Sequence, residues 1–367
     1  MESAENQIRV IALYLPQFHP IPENDKWWGK GFTEWTNVGK AKPLFKGHYQ
    51  PRVPADLGYY DLRLPEARKA QADLAKEYGI EGFCYWHYWF GNGKRLLERP
   101  FNEVLESKEP DFPFCLAWAN HSWADKQFSQ NGSNRMLIEQ LYPGIEDYIE
   151  HFNYVLKAFI DKRYIRVDGK PFFMVYNPEE LPNASLFIKL WQKLARENGF
   201  QIHFVAHTYK KENIELFKSW GFDSVVLVRL FDIFSQKYPL YKRALLKCKR
   251  ILLKRGQIVD YGLASACFTG EEDRREDCYP VIIPNWDHSP RSKRNGHILI
   301  NSTPDKFGKH IQQTFANISN KKNKIVILKS WNEWAEGNYM EPDLKYGRGY
   351  LEVLSQLIKD YNQKAYV

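Results

Sequence analysis

Short apolar runs alternate with amphipathic stretches from one end of the chain to the other, and their spacing predicts the architecture. Strands are expected at roughly 10–16 (VIALYLP), 82–90, 113–120, 171–177, 202–209, 223–229, 279–286 and 324–331. Between them, apolar residues recur at helical spacing, as with Ala67, Ala70, Leu74 and Ala75 in the stretch 65–78. Similar stretches lie at 146–160, 185–198, 211–220, 304–317 and 348–361, and Thr303-Pro304 supplies a cap followed by proline in the first turn. Eight strand–helix units point to one (β/α)8 TIM barrel occupying residues 1–367, with a doubly wound open sheet as the competing fold. The long segments 17–64, 121–145 and 230–278 each follow a strand. In a barrel such loops lie at the C-terminal face, where substrates bind.

Composition adds a few constraints. Of the 367 residues 44% are apolar, enough for a large core, and aromatics reach 16%. Tyr and Trp join a flat apolar face to a polar edge, so such an excess suits a surface that stacks on sugar rings, although core filling accounts for many of them. The net charge of +8 is mild, and no nucleic-acid module is present, so nucleic acid is not expected as a partner. The cysteines 84, 115, 248, 267 and 278 form no CxxC pair and read as reduced thiols. With a polar start, MESAENQIRV, and no apolar run of membrane-spanning length, the expectation is a soluble cytoplasmic protein. The stretch 238–256 alternates leucines with lysines and arginines. A basic amphipathic helix there can lie on anionic lipid, although a solvated barrel helix explains the pattern more simply. The oligomeric state is not legible.

The strand ends carry the chemistry. The first offers Tyr14 and His19, and the loop after it Glu34 and Trp35; the second offers Trp86, His87 and Tyr88. The third and fourth add Trp118, Asn120, Tyr176 and Asn177, the fifth His207, the seventh Trp286 and Asp287. Any one of these is more simply a core residue. Together at one mouth they match a carbohydrate, whose hydroxyls need polar partners and whose C–H faces lie on aromatic rings. The eighth run leads into SWNEWAEGNYMEPD, where Asn332 and Trp334 flank Glu333. If the chain turns there, Glu333 and Glu336 fall ~5–6 Å apart on one face. Glycosidic chemistry needs such a pair, one carboxyl to protonate the leaving oxygen and one to act as base or nucleophile. The alternatives are a solvated acidic loop, or a cation site shared with Glu341 and Asp343.

The stretches YLPQFHPIPENDKWWGKGFTEWTNV, KPLFKGHYQPRVPADLGYYDLR, GFCYWHYWFGNGKRLLERP, NWDHSPR and SWNEWAEGNYMEPD resemble the WbsX-type family of bacterial polysaccharide clusters, described as glycoside hydrolase family 99-like. The resemblance implies a (β/α)8 barrel related to retaining endo-acting α-mannan hydrolases, working without metal or cofactor on an oligosaccharide or polysaccharide. It implies that Glu333 takes a proton from the sugar's own 2-hydroxyl, giving a 1,2-anhydro sugar, and that Glu336 acts as acid and then as base. Glycosyl transfer in O-antigen or capsule assembly is the second expectation, although the chain has no DxD motif. A carbohydrate-binding barrel without catalysis is the third.

Overall fold

The computed structural model describes residues 7–125, 135–241, 243–245, 248 and 257–364. Eight strands form its centre: β1 (Arg9–Tyr14), β2 (Gly82–Trp89), β3 (Phe114–Trp118), β4 (Lys170–Val175), β5 (His203–Thr208), β6 (Ser224–Leu227), β7 (Cys278–Ile282) and β8 (Ile325–Leu328). Each pairs in parallel with the next, and β8 returns to β1 with Arg9 opposite Ile325 and Ala12 opposite Leu328. The sheet is therefore closed, a (β/α)8 TIM barrel, and the open-sheet alternative falls. Strands buried on both faces need near-continuous apolar sequence, which is what Ile325–Leu328 and Phe114–Trp118 supply.

Helices follow the strands in order. Pro65–Glu77 comes after β1, Arg99–Ser107 after β2, Ile145–Phe159 after β3, Ala184–Glu197 after β4 and Asn213–Trp220 after β5. Pro304–Asn317 follows β7 and Gly349–Lys364 follows β8. The Thr303 hydroxyl accepts the Lys306 amide at 3.3 Å, so the cap expected from Thr303-Pro304 is in place. Helix Arg99–Ser107 lies outside the helical stretches read from the sequence; Pro100 in its first turn and its brevity hide its period. Each strand is shorter than its apolar run, because the run continues into buried loop. The basic stretch 238–256 falls largely outside the described residues. All five cysteines are free, and among the described residues no helix is long and apolar enough to cross a membrane.

Side chains alternate across each strand, and this alternation decides which residues can reach the mouth. On β2, Phe83, Tyr85 and Trp89 pack outward, for example Tyr85 against Phe101 at 5.2 Å. Trp86 and Tyr88 point inward. Parallel strands delivering their C-terminal ends to one rim leave the long loops to build a site above it.

Candidate active site

Beyond β8 the chain turns at once. Residues Asn332–Glu333 pair antiparallel with Asn338–Tyr339, and a single 3-10 turn, Trp334–Glu336, joins them. The Ser330 hydroxyl accepts the amides of Asn332 and Glu333, at 3.1 and 3.0 Å, pinning the start of the turn. Gly337 ends it with φ +59°, and a Cβ there would meet the Asp287 Cβ at 2.7 Å. Only glycine suits both the left-handed backbone and the close approach. The Asp287 amide in turn donates to the Glu336 carbonyl at 2.5 Å, locking the turn to the end of β7.

This turn and two loops bring three carboxylates onto one guanidinium. Arg291, on the short helix Ser289–Ser292, donates through Nε to Glu34 Oε1 at 2.9 Å and through Nη2 to Glu333 Oε2 at 2.9 Å. Its Nη1 donates to Glu336 Oε1. Glu34 begins the helix Glu34–Lys40 in the loop after β1, and its side chain is 1% exposed. His288 Nε2 lies 3.6 Å from the same Glu336 oxygen. Burial, reinforced by Glu336, raises the Glu333 carboxyl to about 7, with Arg291 pulling the other way. Burial would raise Glu336 too. There Arg291, aided by His288 and Lys329, outweighs it and holds the carboxyl below its ordinary value. Two neighbouring carboxyls are thus pushed apart in proton affinity, as a pair with different tasks requires.

Across the mouth stands an aromatic wall. Tyr176 and His207 stack with centroids 4.7 Å apart, Trp86 meets Tyr176 edge-on at 5.3 Å, and Tyr209 meets His207 at 5.2 Å. Burial lowers His207 to about 3, so its ring is neutral. Tyr88 also faces the carboxylates, which together with burial raise its hydroxyl far above the ordinary value. Lys329, directly after β8, sets its ammonium over the Trp286 ring, 5.5 Å from the centroid.

The other residues singled out from the sequence sit elsewhere or serve the frame. Tyr14 donates to Gln71 of helix Pro65–Glu77 at 2.7 Å, His87 meets His151 at 2.8 Å, and Trp118 donates to the Trp89 carbonyl at 2.9 Å. All three face the helix layer, on the outward side of their strands. Two asparagines tie strand ends together. Asn120 accepts from the Asn177 amide and donates to its carbonyl, both at 2.8 Å; Asn332 does the same with Leu15, at 2.8 and 3.0 Å. The Trp334 indole donates to Glu341 at 2.5 Å and Trp35 to the Tyr60 carbonyl at 2.8 Å. His19 pairs with the Pro16 carbonyl at 3.1 Å. Asp287 accepts from Gln50 at 2.8 Å and the Ser289 amide at 3.0 Å, beside His48.

Neither of the alternatives for the acidic stretch fits. Its residues are buried, so it is no solvated loop. Glu341 accepts from Tyr60, Gln71 and Trp334, and Asp343 from Tyr339 and the Tyr346 amide. Their oxygens are filled by donors. Among the described residues no group of His, Cys, Asp and Glu is arranged to hold a metal ion. Sequence reasoning missed Arg291 and Lys329. The first stands in the quoted NWDHSPR; the second is a cation closing an apolar strand, an oddity that signals a polar destination.

Comparison with known proteins agrees with the barrel fold. The chain is 35% identical over 358 residues to the uncharacterized protein WxcX of Xanthomonas campestris pv. campestris, a match covering 95% of this chain. It covers 49% of WxcX, so the chain spans about half the length of that relative. In fold it is similar to the GH99 endo-α-mannosidase from Bacteroides thetaiotaomicron, with TM-score 0.56, 15% identity and 98% of both chains covered. It is also similar to a solved glycoside hydrolase-like protein, with TM-score 0.60, 15% identity and 96% and 94% of the two chains covered. The model of the family described as "Glycosyltransferase WbsX" matches residues 10–354, and the chain belongs to that family.

Proposed function

We propose that the chain is a carbohydrate-active enzyme that cleaves an α-linked, manno-configured or related bacterial glycan with retention of configuration, through Glu333 and Glu336. The observation that carries this reading is the convergence of Glu34, Glu333 and Glu336 on Arg291 at the C-terminal rim, opposite an aromatic wall. Glu333 would take the proton of the sugar's 2-hydroxyl, whose oxygen attacks the anomeric carbon while Glu336 protonates the departing oxygen. Water, deprotonated by Glu336, would then attack the anomeric carbon and open the 1,2-anhydro sugar as Glu333 returns its proton to O2.

Glu333 has the higher proton affinity in this structure and Glu336 the lower. The reactive distribution is the reverse, with the same number of protons. Glycan binding that draws Arg291 off Glu336 would restore that carboxyl's affinity and release Glu333 to act as base. If Arg291 instead stays in place, the electrostatics favour the opposite roles, and leaving-group dependence separates the two assignments.

A second reading is glycosyl transfer in polysaccharide assembly, favoured by the family's own description. It uses the same pair, with a sugar hydroxyl replacing water. A panel of chromogenic α-mannosides and purified bacterial polysaccharides, set against a panel of sugar nucleotides with acceptor glycans, tests both. Release of reducing sugar with retained configuration supports hydrolysis; consumption of a sugar nucleotide alone would replace it with transfer.

A further inference from the structure

The protein buries several cations, and it satisfies nearly all of them. Lys321 donates to the Cys278 carbonyl at 2.5 Å and Lys324 to the Lys321 carbonyl at 2.7 Å. Arg68 reaches Glu103 at 2.7 Å, and Arg229 reaches Glu272 at 2.5 Å. Lys329 is different. It is 6% exposed, and among the described residues its ammonium makes no hydrogen bond and no ion pair. Its ammonium lies over the face of Trp286, 5.5 Å from the ring centroid. An unpaired ammonium held at the mouth is a ready partner for a ligand of opposite charge.

Its position says which ligand. The Lys329 amide is fixed to the Ile282 carbonyl at 2.9 Å, and the next residue, Ser330, pins Glu333. Lys329 continues the inward face of β8, because Leu328 pairs with Ala12, which shares the outward parity of Tyr14, so Ile327 and Lys329 point into the barrel. It therefore belongs to the same mouth as the carboxylate pair and the aromatic wall. The buried Nε2 of His207 has no partner. A neutral imidazole carries one acceptor nitrogen, and an unpartnered Nε2 can serve as it. An acceptor for a hydroxyl and a free cation, set beside aromatic faces, suit a sugar that carries both hydroxyls and a negative charge. Glu333 and Glu336 take their hydrogen bonds from Arg291, which leaves the Lys329 ammonium without a bonded partner.

Building on the reading of the mouth as a glycan site, we propose that Lys329 binds a carboxylate of the substrate, and that the sugar bound next to the Glu pair is a hexuronic acid. The competing role is a purely electrostatic one toward Glu333 and Glu336, and a binding measurement tells the two apart. Saturation-transfer NMR titrations of the purified chain would use mannuronate, glucuronate, mannose, glucose and mannose 6-phosphate. They would be run on the unaltered protein and on Lys329→Gln, Lys329→Met and Lys329→Arg. The expected result is a preference of at least about tenfold for each uronate over its neutral hexose, equivalent to about 1.4 kcal/mol. Lys329→Gln and Lys329→Met should abolish the preference, and Lys329→Arg should keep most of it. Equal binding of uronate and neutral hexose, or a preference unchanged in Lys329→Gln, overturns the proposal. Tighter binding of the phosphate ester than of mannuronate overturns the carboxylate as the recognised group. Repeating the titration in Glu336→Gln separates the questions, because binding selectivity survives there even if the Glu pair proves to have no catalytic part.

Discussion

Glu333→Gln keeps the shape of the side chain and deletes its titration. The carboxyl is raised from 4.5 to about 7, first by burial and then by Glu336. In the unfolded chain the same group titrates near its ordinary value. Because the folded value is the higher, the folded state holds the proton more tightly. The resulting stabilisation is complete below about 4.5 and is lost as the pH rises through about 7. Moving a carboxyl from 4.5 to about 7 corresponds to about 3 kcal/mol at most. Glutamine cannot ionise, so the variant should gain on the unaltered protein by up to that amount between about pH 5 and about pH 8.5. Urea unfolding of both proteins at both pH values reads the gain. Glu341, also raised to about 7, titrates in both proteins and cancels in the difference. A stability gap that does not change with pH would show that the Glu333 carboxyl is not held in a proton-retaining environment, and the reasoning about the pair would fail with it.

Further outcomes follow from the same geometry. Arg291→Met leaves Glu34, Glu333 and Glu336 without their shared partner and should cost about 3–5 kcal/mol near pH 8, shrinking in acid as the carboxyls take up protons; urea titration at two pH values checks it. Gly337→Ala puts a Cβ 2.7 Å from that of Asp287 at a positive φ, so it should lose at least about 1 kcal/mol of stability. Turnover of that variant should fall as well, because the Glu336 turn shifts; thermal denaturation alongside rate measurement tests both. Either assignment of acid and base needs the pair to hold one proton, so kcat/KM should fall as the pH rises through about 7, where that proton leaves. A rate that instead rises through that range would show that catalysis does not need the proton the pair holds.

Much of the barrel was legible because parallel strands covered on both sides must be continuously apolar, and all eight runs stood out between amphipathic helices. What the runs did not reveal was parity. Trp86, His87 and Tyr88 are consecutive, yet the first and last face the mouth while His87 reaches His151 in the helix layer. Period-2 alternation is invisible where every position is apolar or aromatic, and for the same reason Tyr14 and Trp118 drew attention they share with ordinary core residues. The Glu pair could be read because spacing and a turn are local properties. Arg291 could not, since its three partners lie 257, 42 and 45 residues away in the chain and meet it only through barrel closure. Asn120, Asn332 and Trp334 were noticed as polar strand ends; that their hydrogen bonds go to backbone and to Glu341 depends on loop paths that no periodicity encodes.

The central claim, that Glu333 and Glu336 divide the work on a glycosidic bond, is tested most directly by single-turnover rates of Glu333→Gln and Glu336→Gln on two kinds of α-mannoside. One carries an activated aryl leaving group and the other a sugar. A nitrophenolate departs with little protonic help, whereas a sugar hydroxyl needs a general acid worth about 10²–10⁴-fold. The account predicts that Glu336→Gln loses that factor on the sugar-linked substrate and little on the aryl one, while Glu333→Gln is slow on both. The reverse pattern would exchange the two roles; full activity in both variants on both substrates would contradict the claim and move the active site away from this turn.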